Sequence, residues 1–371
     1  MEIEVFIIVM KKLLYVVEAM GGGVFTYIVE MANELSKNYK VYIAYGLRSQ
    51  TPKDYKNYFN KNVTLIKIEN FERSIQLKND YLAYREIKDL EQKIRPDIIH
   101  LHSSKAGVLG RIAFRNFKGP LFYTPHGYSF LMKNISKVKK NLYLSVEKMC
   151  ASISGKTIAC SVGEFKEAKK INSNAFLVSN GIDTNELDNL ELKRRVEKKD
   201  QLTIATLGRI SSQKNPELFN KIALEFPNVK FKWIGDGNLR EVLNAPNVTI
   251  TGWLNRKSAL KELINTDIFM LTSLWEGLPV SLLEAMYLKK ICIVSNVVGN
   301  KDVIVNDKNG FVCNDVNDYI ITINKIINGD VNPKIIVKNA LNDILTNYNT
   351  KVMAQKYIKI YERTKNNGVQ H

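Results

Sequence analysis

Cysteine and histidine are scarce in this sequence, and neither is arranged as a metal site. The 371 residues include four cysteines and four histidines. The cysteines, Cys150, Cys160, Cys292 and Cys313, lack the paired spacing of a zinc site. Cys160 and Cys292 lie in apolar runs typical of strands, so we expect buried free thiols there.

Long apolar runs are also missing. A membrane-spanning helix needs about 18 or more consecutive apolar residues, and no stretch of the chain reaches that length. Residues 1–20 come closest, but Lys11 and Lys12 interrupt them and no small-residue cleavage site follows. We therefore expect a cytoplasmic protein without a signal peptide.

Acidic side chains are fewer than basic ones, and the formal net charge is +17. The basic excess is concentrated between residues 101 and 170. There, residues 128–148 mix apolar side chains with lysines, which suits an anionic membrane surface. A nucleic acid could use the same charge, and a merely solvated face is the third interpretation. The apolar residues are Phe130, Leu131, Met132, Leu142 and Tyr143, and the lysines are Lys133, Lys137, Lys139, Lys140 and Lys148.

Apolar runs alternate with amphipathic helical segments along the whole chain, which predicts an α/β protein with helices around parallel sheets. The first series of predicted strands is 13–17, 40–44, 63–68, 97–102, 121–124 and 157–159. The second series is 202–207, 229–234, 248–250, 267–271 and 291–294. We expect two Rossmann-like domains with their sheets facing across a cleft in which ligands bind.

The predicted domain boundary lies near residue 182. Residues 191–200 are mostly charged and indicate a linker or an exposed hairpin. We therefore expect one domain over residues 10–182 and a second over residues 183–350. Apolar side chains recur at helical spacing between residues 352 and 361. They predict that residues 351–371 are a helix with a tail, and that the helix docks by one apolar face.

Candidate ligand-binding residues of the first domain follow its predicted strands. Gly22 and Gly23 would let the backbone approach a ligand at a helix N-terminus, although the full dinucleotide-binding glycine pattern is absent. His102 ends one strand and His126 follows the next. His100, deeper in its strand, has the position of a structural histidine.

The second domain has a basic loop after its first predicted strand. Gly208 is followed by Arg209 and, five residues later, by Lys214. Two cations in a strand-to-helix loop can clamp a diphosphate and stabilise the charge of a departing nucleoside diphosphate. An ordinary basic loop is the alternative interpretation.

Two glycine turns follow the next strands of this domain. Gly235 and Asp236 form the first, and Gly252 and Trp253 the second. The first predicts a tight turn, and the second could bring the backbone against a base. Neither is specific by itself, because a glycine turn after a strand is common.

The most informative stretch joins Glu276 to Glu284 through Gly277, Leu278 and Pro279. It predicts that a strand ends, the chain turns, and a helix over residues 280–287 begins with free N–H groups that suit an anion. One carboxylate would hold sugar hydroxyls and the other ribose hydroxyls, with a diphosphate between them. The alternative is a helix-start acid favoured by the dipole, together with an ordinary surface glutamate.

Four features of the sequence together resemble the family 4 retaining glycosyltransferases, which have the GT-B architecture. They are the glycines at 21–23, His126 with Gly127, the Arg209–Lys214 loop and the paired glutamates. The resemblance runs from about Lys11 to the C-terminal helix. Residues 17–23 and 102–107 look like those of bacterial capsule, exopolysaccharide or O-antigen enzymes. Residues 1–9 lie outside the resemblance, and Met10 looks like a more usual start.

The resemblance implies that residues 10–182 form an acceptor-binding, membrane-facing domain and that residues 183–350 form a nucleotide-sugar-binding domain. It also implies a role for each matching residue. Arg209 and Lys214 would hold the donor diphosphate, Glu276 the transferred sugar, and Glu284 the ribose. His126 would contact the donor sugar near its reacting carbon, making it catalytic together with Glu276, Arg209 and Lys214. The remaining donor-binding residues are expected to be Gly22, Gly23, Gly208, Gly235, Asp236, Gly252, Trp253, Gly277, Leu278 and Pro279, and the acceptor side to include His102 and Lys105.

The expected function is therefore transfer of a sugar from a nucleotide sugar, UDP-linked by resemblance, to a lipid-linked saccharide at the inner face of the membrane, with retention. Family members work without a divalent metal, and the sequence has no Asp-x-Asp signature, so no cofactor and no metal are expected. Two alternatives are a UDP-sugar epimerase of the same architecture and a basic nucleic-acid-binding protein. The latter leaves the glutamate pair unexplained, and no nucleic-acid partner is expected.

Overall fold

The computed structural model describes residues 10–48, 50–72, 74–132, 135–190 and 201–363. The predicted linker at 191–200 and Lys133 of the basic stretch lie outside them. The strands among the described residues are β1 Lys12–Met20, β2 Lys40–Leu47, β3 Thr64–Lys67, β4 Ile98–His102, β5 Leu121–Thr124, β6 Lys156–Ala159, β7 Phe176–Leu177, β8 Thr203–Leu207, β9 Lys230–Ile234, β10 Val248–Ile250, β11 Ile268–Leu271, β12 Ile291–Ser295 and β13 Phe311–Cys313. The α-helices there are α1 Gly22–Leu35, α2 Leu77–Ile94, α3 Ser104–Ala113, α4 Lys137–Ile153, α5 Val162–Ile171, α6 Thr184–Asn189, α7 Pro216–Glu225, α8 Arg256–Ile264, α9 Val280–Tyr287, α10 Val316–Ile327, α11 Pro333–Asn347 and α12 Thr350–Arg363.

The first sheet has seven strands in the order β3-β2-β1-β4-β5-β6-β7, and its pairs are parallel. Its central strand, β1, is buried along Leu13, Leu14 and Tyr15 without alternation. Continuous burial is expected of a strand covered by helices on both faces. The strand order reverses between β1 and β4, so the loops that follow these strands lie at a topological switch point.

The second sheet has six parallel strands in the order β10-β9-β8-β11-β12-β13. The order reverses between β8 and β11, which are neighbours. The basic loop follows β8 and the glutamate motif follows β11, so both lie at the carboxyl edge of the sheet where α/β proteins bind ligands. This confirms the predicted α/β fold with two parallel sheets.

The predicted strands are all present, and the largest differences are at β1 and β2, which each continue three residues further than expected. Two strands were not predicted. β7 and β13 are two and three residues long. Segments this short contain no apolar run or alternation that could distinguish them from a loop.

By its contacts, the chain forms two compact units. The first comprises the described residues within Met1–Pro125, Val146–Thr157 and Ala354–His371, and the second those within His126–Ser145 and Ile158–Met353. The second unit therefore includes the segment that begins at His126. The domain bounds 10–182, 183–350 and 351–371 stay a prediction.

From Ala354 onward, α12 belongs to the first unit and docks there through buried tyrosines. Tyr27 Oη donates a hydrogen bond to Tyr357 Oη at 2.6 Å, and Tyr361 Oη lies 2.6 Å from His100 Nδ1. The other ring nitrogen of His100 lies 2.8 Å from Thr124 Oγ1. These contacts confirm the docked C-terminal helix and the structural role expected for His100.

All four cysteines are buried and unpaired, as expected of free thiols. Within the described parts of the chain, no helix is long and apolar enough to cross a membrane.

Candidate active site

The turn after β11 places both glutamates of the motif inside the protein. Glu276 is 7% exposed, and Glu284, within α9, is 5% exposed. α9 is buried from Val280 to Met286. The interpretation of Glu284 as an ordinary surface glutamate is therefore wrong. Charged groups this deeply buried need partners, and each carboxylate has a cation.

Lys214 is the cation of Glu276. Its Nζ lies 2.6 Å from Glu276 Oε1. Gln213 supports the same carboxylate, since its Nε2 lies 3.3 Å from Glu276 Oε2 and 3.1 Å from the Trp275 carbonyl. The Gln213 carbonyl accepts from Leu274 N at 2.8 Å. The loop after β8 and the loop after β11 are thus joined through side chain and backbone.

Glycines permit the close packing of the loops beside Lys214. Gly208 has φ +147°, and a Cβ there would lie 3.3 Å from Lys214 Cε. A Cβ on Gly235, which has φ +138°, would lie 2.2 Å from the Gly208 carbonyl oxygen. These two predicted donor-binding glycines therefore adjoin each other, and a side chain at Gly235 would push the loop apart. Arg209, between Gly208 and Ile210, is half-buried.

The two remaining predicted turns of this unit also adjoin. Gly252 has φ +75°, and a Cβ there would lie 3.8 Å from Asp236 Oδ2. Asp236 accepts from Gly237 N at 2.8 Å and from Arg240 at 3.1 Å. Trp253 is 57% exposed. An exposed indole beside a glycine turn offers a flat surface on which a base can stack.

Arg256, at the start of α8, is the cation of Glu284. Its Nη2 lies 3.1 Å from Glu284 Oε1, and its Nε lies 3.5 Å from Glu186 Oε1. Burial raises the pKa of Glu284 above its ordinary value, and the nearby guanidinium of Arg256 opposes that rise. Arg256 thereby favours the ionised form of Glu284.

His126 and Gly127 form a strained turn that packs on the glutamate motif. Both have positive φ, +55° and +102°. A Cβ on Gly277 would lie 2.9 Å from Gly127 N and 3.1 Å from Cys160 Sγ, so the two turns touch through backbone. The His126 ring keeps some solvent access, but the protein atoms crowding it lower its pKa to about 3. His126 is therefore neutral at physiological pH.

The predicted site residues of the first unit have the following surroundings. Gly22 and Gly23 open α1, and Gly22 has φ +58°. His102 is fully buried, with its ring 4.5 Å from that of Tyr15. Lys105 forms an ion pair with Asp80 and donates to the Glu72 and Ser74 carbonyls at 2.6 Å. Their assignment to donor or acceptor stays a prediction.

Three contributors to the site were not predicted. Gln213 and Arg256 support the two glutamates, and Glu164 accepts a hydrogen bond from Gly127 N. Of these three residues, only Glu164 has a recognisable signal in the sequence, which is the Ser-x-x-Glu pattern typical of a helix start. No group of three or more potential metal ligands occurs within the described ranges.

The apolar face predicted for the basic stretch is only partly present, because Leu142 is exposed as expected but Phe130 is not. Phe130 is buried and stacked on Tyr128, with ring centroids 4.7 Å apart. Leu131 and Met132 are partly buried. The exposed apolar residues instead lie on α4, among its exposed lysines. They are Val138, Leu142, Met149 and Ile153.

Comparison with known proteins agrees with the fold and shows the family. Residues 21–186 match the model of Glycosyltransferase Family 4, and residues 188–343 match that of Glycosyl transferases group 1. The chain is 30% identical over 340 residues to the UDP-Gal:alpha-D-GlcNAc-diphosphoundecaprenol alpha-1,3-galactosyltransferase of Escherichia coli, covering 82% of this chain and 85% of that one. It is 28% identical to an uncharacterized 41.2 kDa protein in the cps region of Klebsiella pneumoniae, covering 72% and 78% of the two chains. Among solved structures, sucrose-phosphate synthase from Thermosynechococcus elongatus superimposes with a TM-score of 0.81 at 15% identity, covering 95% and 99% of the two chains.

Two parallel-sheet α/β domains with this site define a glycosyltransferase of the GT-B type. The chain belongs to glycosyltransferase family 4.

Proposed function

We propose that this enzyme transfers a sugar from a UDP-sugar to a lipid-linked saccharide during assembly of a bacterial surface polysaccharide, with retention of anomeric configuration. The Escherichia coli relative is named for a UDP-galactose donor and a diphosphoundecaprenol acceptor. The Klebsiella relative is named for a cps region. The observation that carries the proposal is the pairing of Lys214 with Glu276 at the start of α9, with Glu284 buried in the same helix.

The site provides complementary groups for each part of a nucleotide sugar. Lys214 and the neighbouring Arg209 supply positive charge for a diphosphate, and the N-terminus of α9 adds its backbone N–H groups. Glu276 accepts hydrogen bonds from sugar hydroxyls, and Glu284 accepts them from ribose. Val280 and Glu284 are separated by roughly 6 Å along the helix axis. Glu276 lies in the loop before α9, so the helix N-terminus, where the diphosphate would bind, stands in the sequence between the two carboxylates.

The proposed chemistry is a front-face displacement. The bond between the anomeric carbon and the diphosphate oxygen breaks, and the acceptor oxygen bonds to the carbon from the same face. The acceptor proton passes to the departing phosphate oxygen, so no protein nucleophile is required. Lys214 and Arg209 stabilise the charge that develops on the leaving group. His126, neutral by its lowered pKa, serves as a hydrogen-bonding partner of the donor sugar.

We propose that the reaction needs no divalent metal. The developing charge is on the diphosphate, and we assign its neutralisation to two protein cations of one loop, Lys214 and Arg209, which is the task a metal performs in other transferases. Full activity in excess EDTA would support this, and restoration of a lost activity by Mg²⁺ or Mn²⁺ would contradict it.

We also propose a peripheral position at the inner face of the membrane, in keeping with a lipid-linked acceptor. α4 supports this proposal. It has exposed Val138 and Leu142 beside exposed Lys137, Lys139 and Lys140. Such a surface suits an anionic bilayer, to which each nearby lysine adds about 1 kcal/mol. The predicted acceptor-side residues, His102 and Lys105, stay proposals.

A two-stage experiment tests the function. A thermal-shift panel of UDP- and GDP-sugars identifies the donor, since a ligand that binds the native state raises its melting temperature. The stabilising donor is then incubated with a polyprenyl-diphosphate-linked acetamido sugar, and the product is analysed by mass spectrometry and NMR for mass and anomeric configuration. Formation of an α-linked product from an α-linked donor supports the proposal. Conversion of the donor without acceptor would identify an epimerase, and stabilisation by no nucleotide sugar would overturn the proposal.

A further inference from the structure

Glu164 is a buried carboxylate that lies outside the residues assigned to substrate. It is fully buried near the start of α5. Its two carboxylate oxygens have separate tasks. Oε1 accepts from Gly127 N at 2.7 Å, and Oε2 accepts from Cys160 N at 2.8 Å. One side chain therefore joins the end of β6 to the turn that presents His126.

This turn is conformationally costly. A non-glycine residue with positive φ, such as His126 at +55°, is uncommon, and Gly127 follows it at +102°. Strained conformations of this kind persist only where the surrounding structure holds them in place. Glu164 supplies such a hold, because its bond to the Gly127 amide is charge-assisted and shielded from water.

The turn also packs against the glutamate motif. Gly277 approaches so closely that an added Cβ would lie 2.9 Å from both Gly127 N and the His126 carbonyl carbon. The Gly127 amide therefore adjoins both Glu164 and Gly277. A shift of this amide would move His126 relative to Glu276, which adjoins Gly277 in sequence.

We propose that Glu164 is a positioning residue of the transfer reaction, which holds the His126–Gly127 turn against Gly277 through its hydrogen bond to the Gly127 amide. The proposal rests on the function proposed above for its catalytic consequence, because His126 is the residue through which Glu164 acts. Its structural part, control of the His126 turn, does not depend on the reaction.

Glu164→Gln tests the proposal, because Gly127 N and Cys160 N bond to different oxygens of the carboxylate, and the amide replaces one of these oxygens by an NH2 group, which cannot accept. We expect kcat to fall roughly 10-fold or more, while the dissociation constant of UDP stays within about two-fold, since Lys214 is untouched. In a His126→Ala background, we expect Glu164→Gln to lower kcat by less than about two-fold more. Multiplicative losses in the double variant, an unchanged kcat in the single variant, or a parallel loss of UDP binding would overturn the proposal.

A second measurement separates this proposal from the proposed function. NMR of histidine-labelled protein, with the His126 signal assigned from His126→Ala, needs no substrate. We expect Glu164→Gln to shift the His126 ring signals, and unchanged signals would overturn the positioning role even if transfer were demonstrated. Absence of transfer by the wild type, with shifted signals, would instead overturn the proposed function.

Asn247→Ala is the matched control. The Asn247 side chain also hydrogen-bonds to the backbone of the same unit, because it donates to the carbonyls of Ala223, Phe226 and Val229 at 2.9–3.0 Å. It precedes β10 and thus lies at the amino edge of the sheet, opposite the site. It should lower stability without changing kcat. If Glu164→Gln does not fold, the same measurements are made on Glu164→Asp and judged by the same criteria. This variant keeps the carboxylate but has a shorter side chain.

Discussion

Lys214 Nζ lies 2.6 Å from Glu276 Oε1 and joins the loop after β8 to the turn after β11. These two strands are neighbours at the reversal of strand order in the second sheet. The two residues are 62 positions apart in the chain, but their strands are parallel neighbours, and parallel strands bring their carboxyl ends to one edge of the sheet. One ion pair therefore contains both a proposed phosphate-binding cation and a proposed sugar-binding carboxylate.

Replacing either partner of this pair should abolish transfer. Lys214→Ala removes a cation from the diphosphate and leaves Glu276 buried without its ion-pair partner, and Glu276→Ala removes the sugar contact. We expect kcat/KM to fall roughly 100-fold or more in each, with lower melting temperatures but folded protein by circular dichroism.

Lys232→Ala is the control for that prediction. Lys232 pairs with Glu262 at 2.8 Å in the same unit, and both side chains are more exposed than Lys214 and Glu276. Surface pairs contribute about 0–1 kcal/mol, so activity and stability should change little. Near-normal turnover of Lys214→Ala or Glu276→Ala would contradict the assignment of the site.

The affinity for UDP should depend on pH through Glu284. In the role proposed for Glu284, its carboxylate form accepts the ribose hydrogen bonds, so the affinity is complete above the pKa of Glu284 and is lost as the pH falls through that pKa. Burial has raised that pKa, so the loss begins at a higher pH than for an exposed glutamate. Arg256→Gln removes a cation that lowers the pKa, so the loss should move to still higher pH.

Isothermal titration of UDP between pH 5 and pH 8, with wild type and Arg256→Gln compared at each pH, measures this effect. Comparison at equal pH cancels the titration of UDP itself. His126 does not contribute, because its pKa of about 3 lies below this range. Superimposable pH profiles of the two proteins would show that Arg256 does not control Glu284.

Gly277→Ala should destabilise the second unit. The added Cβ would lie 2.9 Å from two backbone atoms of the His126–Gly127 turn, which cannot rotate away. Overpacking of this kind costs about 1–3 kcal/mol. Gly21→Ala is a control, since its Cβ would have ordinary contacts of 3.5–3.7 Å. Urea unfolding compares the two, and equal stability of both variants would contradict the close contact.

Tyr361→Phe should loosen the docked C-terminal helix. It removes the hydroxyl 2.6 Å from His100 Nδ1 in the buried cluster of the first unit. The loss of a buried hydrogen bond costs about 1–3 kcal/mol. Tyr39→Phe is the matched control, because the buried Tyr39 hydroxyl has no hydrogen-bond partner among the described residues. Urea unfolding should therefore show that Tyr361→Phe lowers the free energy of unfolding, whereas Tyr39→Phe leaves it unchanged or raises it. A larger loss of stability in Tyr39→Phe than in Tyr361→Phe would contradict the prediction.

Charge reversal on α4 should weaken binding to anionic vesicles. Changing Lys137, Lys139 and Lys140 to Glu removes attraction worth about 1 kcal/mol for each lysine near the surface. The control reverses three exposed lysines of α10 and α11, which are Lys325, Lys334 and Lys338. Co-sedimentation with phosphatidylserine vesicles should fall for the first variant alone. Equal losses would indicate an effect of net charge rather than of α4.

The sheets and the main site motifs could be predicted from sequence because their signals are local. The apolar runs of β1 and β11 and the turn from Glu276 to Pro279 each lie within about ten residues. Gln213 and Arg256 could not be predicted, since their roles depend on partners from other elements. The Ser-x-x-Glu pattern at Glu164 indicates a helix start, but not its bond to Gly127 N. Phe130 shows the same limit, because its burial and its stacking on Tyr128 depend on the folded chain.

The alternation of strands and helices by itself predicted the α/β fold, because strand and helix patterns depend on nearby residues. The glutamate motif and the basic loop carried the resemblance to family 4 glycosyltransferases, and that resemblance implied the class of reaction. Tertiary structure decided which groups pair. It placed Lys214 on Glu276, Arg256 on Glu284 and Glu164 on the Gly127 amide. Such pairings join residues far apart in the chain, and they arise because burial leaves each charged group only the partners that folding brings to it.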